Sequence, residues 1–204
     1  MAIRAVYFDI GGVILRTEHP EPRREWERRL GLQPGQLVKL VFDNPVAQQS
    51  TVGEAVEGDV WREVGRSLNL APRELMELRE DFFAGDQWDE NLLVFIRKLR
   101  TRIRTGVISN GWLGAQAAMA KWINPATFDA IVFSGVEKCR KPDGKIYQLA
   151  LSRLGVSPDE AMFFDDFQEN VDGANRVGMQ GVLFEGSHPA IEQIRKIFMH
   201  TRPL

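Results

Sequence analysis

Several polar residues of this 204-residue chain stand directly after short apolar runs. They are acids, a hydroxyl, an amide and a lysine, and together these types can form, hold and break a bond to phosphorus. An aspartate carboxylate is a competent nucleophile toward phosphorus once a cation offsets its repulsion from the phosphate. In chain order the residues are Asp9, Ser109, Asn110, Lys141, Asp165 and Asp166.

The chemistry favoured by this set is phosphoryl transfer through a covalent aspartyl phosphate. We expect Asp9 to be the nucleophile. The adjacent carboxylates of Asp165 and Asp166 repel each other unless a cation lies beside them, so they predict a metal site shared with Asp9. Hard oxygen ligands favour Mg²⁺.

The remaining residues of the set suit the binding of a phosphoryl group. We expect Ser109 and the backbone amides around Asn110 and Gly111, at the start of the next helix, to hold the phosphate oxygens that are not transferred. Lys141 would supply the remaining positive charge.

The apolar runs themselves predict buried parallel strands. They are short, apolar on both faces and bounded by turn residues. Helix-period segments separate the last four of them, and the first of these segments is Trp112–Trp122. This alternation predicts an α/β fold, a parallel sheet with helices on both faces. Ligands bind such sheets beyond the carboxyl ends of the strands, where all the polar residues named above would meet. The runs are Ile3–Phe8, Ile103–Ile108, Ala130–Phe133, Ala161–Phe164 and Gly181–Phe184.

A long segment between the first and second runs has a different pattern. Residues 16–86 show several amphipathic helical stretches and no convincing strand, whereas one crossover needs only a dozen or so residues. We therefore predict an α/β core domain made of residues 1–15 and 87–204, and an inserted all-helical domain made of residues 16–86. The expected helices are Arg23–Leu30, Leu37–Phe42, Asp59–Leu68 and Pro72–Phe83.

Composition excludes several classes of protein. The hydrophobic and charged fractions, 44% and 26%, are those of a globular protein, and the formal net charge of −2 leaves no cation surplus for nucleic acid or an anionic membrane. The one cysteine, Cys139, allows no intramolecular disulfide. Without a long apolar run or a secretory signal pattern, the sequence predicts a cytoplasmic protein whose partner is a small phosphate ester.

The motifs around these residues resemble the four motifs of the haloacid dehalogenase (HAD) superfamily. The resemblance extends over essentially the whole chain, and the helical insert is similar to the C1-type cap of that family. It implies a Rossmann-like core with a helical cap, and it is strongest toward bacterial sugar-phosphate phosphatases and the phosphatase-like domain of epoxide hydrolases. The motifs are Phe8–Leu15, Val107–Asn110, Lys141–Pro142 and Phe163–Asp166.

The resemblance also implies roles for individual residues. Asp9 would be both the nucleophile and a ligand of Mg²⁺, and the carbonyl of Gly11 would be a second ligand. Asp166, with or without Asp165, would complete the ligands that the protein supplies. Ser109 and Lys141 would bind the phosphoryl group.

One position departs from the pattern of the family. Its phosphatases usually carry a second aspartate two residues after the nucleophile, and this residue protonates the leaving oxygen; here the position is Gly11. General acid catalysis contributes about 10²–10⁴-fold, so we expect a slow phosphatase.

Gly11 also keeps a second function open, that of a binding or regulatory protein with the same fold and weak catalysis. A 2-haloacid dehalogenase is a third alternative. That branch of the superfamily looks metal-free and lacks the paired acids, so Asp165 and Asp166 argue against it. A response-regulator receiver uses the same residue types with its acidic pair first in the chain, and here the pair comes last.

Overall fold

A five-stranded parallel sheet forms the centre of the protein, in a computed structural model that describes residues 2–121 and 123–198. Ala5 of the central strand lies opposite Arg104 on one side and Ala161 on the other. The predicted parallel sheet is confirmed, and its strands lie within two residues of the apolar runs. In spatial order they are β5 (Ala130–Phe133), β4 (Arg104–Ser109), β1 (Ala5–Phe8), β6 (Ala161–Asp165) and β7 (Gln180–Leu183).

Helices cover both faces of this sheet because successive side chains of its strands point to opposite sides. Val6 and Phe8 of β1 pack on one side with α6 (Glu90–Leu99) and α11 (Ser187–Phe198). Tyr7 packs on the other side, mainly with α9 (Gly144–Leu154). Two further helices follow β5 and β6, namely α8 (Ser134–Glu137) and α10 (Gln168–Arg176).

The helix after β4 is shorter than the sequence indicates. The helical pattern extends from Trp112 to Trp122, whereas α7 spans only Ala115–Met119 and begins after Gly114, whose φ of 101° is left-handed. The predicted end at Trp122 lies outside the described residues. The expectation that Asn110 and Gly111 stand at the start of this helix is therefore wrong.

Residues 16–86, the segment predicted to be a helical insert, contain five helices, as the excess chain length predicts. They are α1 (Glu21–Arg29), α2 (Gln36–Phe42), α3 (Pro45–Ser50), α4 (Glu57–Ser67) and α5 (Pro72–Ala84). Sequence reasoning missed α3, a six-residue helix whose first turn is capped by the side chain of Asn44. We refer to α1–α5 as the insert.

Two short strands connect the insert to the sheet domain. β2 (Leu15–Thr17) and β3 (Asp86–Trp88) pair antiparallel, and we call this pair the neck. The expectation that residues 16–86 contain no strand is therefore wrong at both ends of that range. Three-residue strands carry too little alternation to be recognised from sequence.

The insert has its own hydrophobic core. Trp26, Trp61 and Phe82 are all at least 96% buried there. Trp112, from the loop after β4, packs into the same cluster, and the centroid of its ring lies 6.4 Å from that of Trp61. The division into core and cap domains stays a prediction, consistent with this separate cluster.

Within the described ranges, no helix combines the length and apolar character needed to cross a membrane.

Candidate active site

Asp9 lies at the carboxyl end of the central strand, with its backbone N–H donating to Phe164 O at 2.9 Å. Because β4 and β6 flank β1, Ser109 and Asp165 end the strands on either side of it. Asp9 is only 7% exposed. Burial raises the pKa of its carboxyl group, while Lys141 and the Ser109 hydroxyl act to lower it.

Lys141 is the buried cation of this site. Its side chain is fully buried, and Nζ lies 2.6 Å from Asp165 Oδ2 and 3.0 Å from Asp9 Oδ1. The ammonium group thus bridges Asp9, which follows β1, and Asp165, which ends the adjacent strand β6. A lysine without these partners could not be buried in its charged form.

Asn110 holds the backbone of Lys141 in place. Its amide nitrogen donates to Lys141 O at 3.0 Å, and its amide oxygen accepts from Lys141 N at 2.9 Å. The peptide bond between Lys141 and Pro142 is cis. The Asn110 side chain is therefore committed to Lys141, so any contact of Asn110 with a phosphate would have to come from its backbone amide.

The amide of Gly111 is also engaged within the protein. It donates to Ser134 Oγ at 3.1 Å, and α7 begins four residues farther along the chain. The expectation that a helix start at Gly111 presents free amides to a phosphate is therefore wrong.

Asp165 has all of its carboxylate oxygens hydrogen-bonded. Oδ1 accepts from Phe167 N and from Asn170 Nδ2, both at 2.9 Å, and Oδ2 accepts from Lys141 Nζ. Sequence reasoning missed Asn170. The only available signal was an amide side chain in the first turn of the helix that follows the acidic pair.

Asp166, the next residue in the chain, differs because one of its carboxylate oxygens has no hydrogen-bond partner. Its Oδ1 atom is buried and accepts no hydrogen bond from any described residue. Burial raises the pKa of Asp166 to about 6, with further contributions from the negative charges of Asp9 and Asp165. Gly12 approaches this carboxylate so closely that a Cβ atom there would lie 2.0 Å from Oδ2, and its φ of 76° also favours glycine.

The three aspartates together carry more negative charge than the site neutralises. Oxygen atoms of Asp9, Asp165 and Asp166 lie within 4.8 Å of one another, and Lys141 is the one cation that touches them among the described residues. Asp9 Oδ1, like Asp166 Oδ1, is buried and lacks a well-directed hydrogen bond. The Asp166 oxygen that accepts no hydrogen bond and the Asp9 oxygen that is ion-paired with Lys141 belong to a hard-oxygen cluster that fits a divalent cation such as Mg²⁺.

Gly11, two residues after Asp9, is exposed. A Cβ atom at Gly11 would meet nothing within 4 Å, and its φ is not left-handed. The space for an acidic side chain is therefore present although the side chain is not.

The insert meets the sheet domain beside this edge. Val56 of the insert pairs with Leu113 in an isolated bridge, and Arg140 Nη1 lies 3.5 Å from Thr51 Oγ1. The insert and the sheet domain are therefore in contact through a residue of the loop after β4 and through the residue before Lys141.

Comparison with known proteins agrees with this geometry. The model of a hydrolase family, haloacid dehalogenase-like hydrolase, matches residues 3–178. Phosphatase MT3486 from Mycobacterium tuberculosis is 29% identical over 202 residues, which cover 92% of this chain. Bifunctional epoxide hydrolase 2 from Sus scrofa is 24% identical over 227 residues, which cover 97% of this chain. The chain spans 89% of the mycobacterial protein, 39% of the epoxide hydrolase and 19% of another, longer relative.

A solved structure shows the same fold. It is the wild-type HAD family enzyme from Bacteroides thetaiotaomicron in complex with magnesium and inorganic phosphate. Its TM-score is 0.73 at 16% identity, and the match covers 89% of this chain and 94% of that one. Since the family model covers most of the chain, the protein belongs to the haloacid dehalogenase-like hydrolases.

Proposed function

We propose that this protein is a Mg²⁺-dependent phosphomonoesterase that acts on a small phosphorylated metabolite through an aspartyl-phosphate intermediate. The observation that carries the proposal is the buried charge arrangement around Asp9. A nucleophilic carboxylate lies 3.0 Å from the Lys141 ammonium group and beside two further carboxylates, one of which has an orphaned oxygen.

The residues of the chain would divide the work according to their contacts. Asp166 would hold the metal through its buried oxygen that accepts no hydrogen bond, and Asp9 would be a second ligand because its carboxylate lies in the same cluster. The Gly11 carbonyl would join them. Asp165 would act mainly by positioning Lys141, since both of its oxygens are already engaged. When bound, Mg²⁺ supplies charge that offsets the repulsion between a carboxylate and a phosphate.

Asp9 would attack phosphorus, while Lys141 and Ser109 bind the phosphoryl oxygens. Lys141 is suited to this because its position is fixed by the buried Asp165 and by the Asn110 side chain. A fixed cation stabilises charge in the transition state without having to reorganise.

The relatives support the same reaction. The mycobacterial relative is named as a phosphatase, and the Bacteroides structure contains magnesium and inorganic phosphate. A Thermotoga maritima relative, named as a phosphorylated carbohydrates phosphatase, matches over 27% of this chain and makes sugar phosphates a reasonable first panel.

The experiment is hydrolysis of para-nitrophenyl phosphate and a panel of phosphate esters, with Mg²⁺ and with excess chelator. We expect turnover that requires Mg²⁺ and disappears in Asp9→Asn. Asp159→Asn makes the same chemical change at an exposed position before β6, at the opposite edge of the sheet, and should leave the rate unchanged. Absence of metal-dependent turnover on every ester would refute the proposal.

A second candidate function, binding or regulation with little turnover, is favoured by Gly11 alone. It predicts that the protein binds Mg²⁺ and phosphate, measured by calorimetry, while hydrolysing no ester. The dehalogenase alternative predicts chloride release from a 2-haloacid without metal, and the orphaned oxygen of Asp166 argues against it.

A further inference from the structure

We infer that the preferred substrates carry their phosphate on an acidic oxygen, such as that of a phenol, an enol, a carboxylate or a second phosphate. The inference rests on the proposed phosphatase function and specifies its substrate class. It follows from the absence of a free proton donor among the described side chains that contact Asp9.

None of the described side chains that contact the reacting carboxylate is a free proton donor. The Lys141 ammonium group is held between Asp9 and Asp165, and the Ser109 hydroxyl bonds to Asp9 itself. Asp165 accepts three hydrogen bonds, so both of its oxygens are engaged within the protein. Asp166 is the proposed metal ligand.

Gly11 leaves an open space where a donor would stand. The position is exposed, and a Cβ atom there would touch nothing within 4 Å. Of the two histidines that the structure describes, His19 lines a surface pocket at the neck with Trp88, and His188 lies exposed in the first turn of α11. Neither is among the groups in contact with Asp9.

The first chemical step shows why this matters. An Asp9 oxygen forms a bond to phosphorus, the bond from phosphorus to the leaving oxygen breaks, and its electron pair stays on that oxygen. Without a donor the oxygen departs as an anion and takes a proton from solvent afterwards. A phenol has a pKa of about 10, whereas a simple alcohol is close to water at about 16, so the alkoxide is the far poorer leaving group.

The second step has no leaving-group requirement. Water adds to phosphorus, the bond to Asp9 breaks with its electron pair returning to the carboxylate, and the water proton goes to solvent or to the released phosphate. The value of kcat/KM reports the first step alone, so the selectivity appears there.

The test compares kcat/KM for phenyl phosphates that carry increasingly electron-withdrawing substituents with that for benzyl phosphate, which is similar in size but releases an alkoxide. For the wild-type protein with Mg²⁺ we expect a steep rise along the phenyl series and at least about 10²-fold discrimination against benzyl phosphate. Gly11→Asp should raise the benzyl phosphate rate by about 10²–10⁴-fold and flatten the series.

Gly11→Asn is the matched control, because it adds the same volume without an acidic proton and should keep the steep dependence. Benzyl and nitrophenyl phosphates hydrolysed equally well by the wild type would overturn this inference alone. An equal gain in Gly11→Asn and Gly11→Asp would also overturn it. Absence of Mg²⁺-dependent hydrolysis of every ester would overturn the proposed function together with it.

Discussion

Carboxylates lie next to cations both at the neck, where they are partly buried, and at the carboxyl edge of the sheet, but the charges of the two regions balance differently. In the neck, Asp86 Oδ1 accepts from Thr17 Oγ1 at 2.6 Å and from Arg23 Nη2 at 2.7 Å. Asp89, directly after β3, accepts from Leu92 N at 2.8 Å and pairs with Arg16 at 2.8 Å. Each neck carboxylate therefore has its own cation.

At the sheet edge, Lys141 pairs with two of three clustered carboxylates, and two buried oxygens accept no well-directed hydrogen bond from the described residues. A cluster whose charges are balanced needs no ligand and stabilises the fold. An unbalanced cluster keeps a cost that a bound cation or a proton can remove, because an uncompensated buried charge is strongly destabilising. This difference supports the proposal that the sheet edge binds a ligand, whereas the neck carries no such charge imbalance.

Removal of Lys141 should give the largest effect, because it makes the unbalanced cluster worse. We expect Lys141→Met to lower the free energy of unfolding by about 3–5 kcal/mol, measured by urea denaturation without metal, and to abolish hydrolysis. Lys145→Met, which replaces an exposed lysine in the first turn of α9, should change neither quantity. A Lys141→Met protein as stable as the wild type would contradict the charge arrangement described here.

Mg²⁺ should stabilise the protein by filling the unbalanced cluster. At a concentration 100 times its Kd, it should raise the free energy of unfolding by about 2.7 kcal/mol. Asp166→Asn should lose most of this gain, whereas Asp86→Asn in the neck should keep it. An equal gain in both variants would place the ion elsewhere.

The same substitution should have opposite effects on stability in the two regions. Asp86→Asn removes the partner of Arg23 and should lower the free energy of unfolding by about 2 kcal/mol, with hydrolysis retained. Burial already raises the pKa of the Asp9 carboxyl group, so its charged form is disfavoured in the folded protein. Asp9→Asn should therefore leave the free energy of unfolding without metal unchanged or increase it, and should stop hydrolysis. Urea denaturation and the nitrophenyl phosphate assay measure both, and a marked loss of stability in Asp9→Asn would show that its charge is already compensated.

The sequence could predict the sheet and the residues at its edge, because buried parallel strands appear as apolar runs and polar residues mark their ends. Asp9, Ser109, Lys141 and the acidic pair all lie at that edge. The neck could not be predicted, because three-residue strands between helices leave no periodic signal.

The different contacts of Asp165 and Asp166 could not be predicted from the sequence either. The two carboxylates are adjacent and chemically identical, and they differ only in what the fold brings to each of them. Lys141 and Asn170 reach Asp165 from 24 and 5 residues away, whereas Asp166 faces the backbone of Gly12. The role of the Asn110 side chain as a clamp on Lys141 likewise depends on a pairing across 31 residues.

The smallest predicted effect is the pH dependence of the Mg²⁺ stabilisation. Burial raises the pKa of Asp166 from 3.8 to about 6, so without metal this group favours the folded state at low pH and loses that contribution as the pH rises from about 4 to 6. Protons and Mg²⁺ therefore compete for the same oxygens.

At pH 5, about one tenth of the metal-free protein has Asp166 ionised, so the apparent Mg²⁺ affinity should be about tenfold weaker than at pH 7. The stabilisation at a fixed Mg²⁺ concentration should then fall by about 1.4 kcal/mol, measured by urea denaturation at each pH. Asp86, balanced in the neck, should contribute nothing to this change, so Asp86→Asn is the control and should show the same decrease. An affinity for Mg²⁺ that is constant from pH 5 to 7 would mean that Asp166 is ionised throughout and that its charge is compensated in the same way as those of the neck.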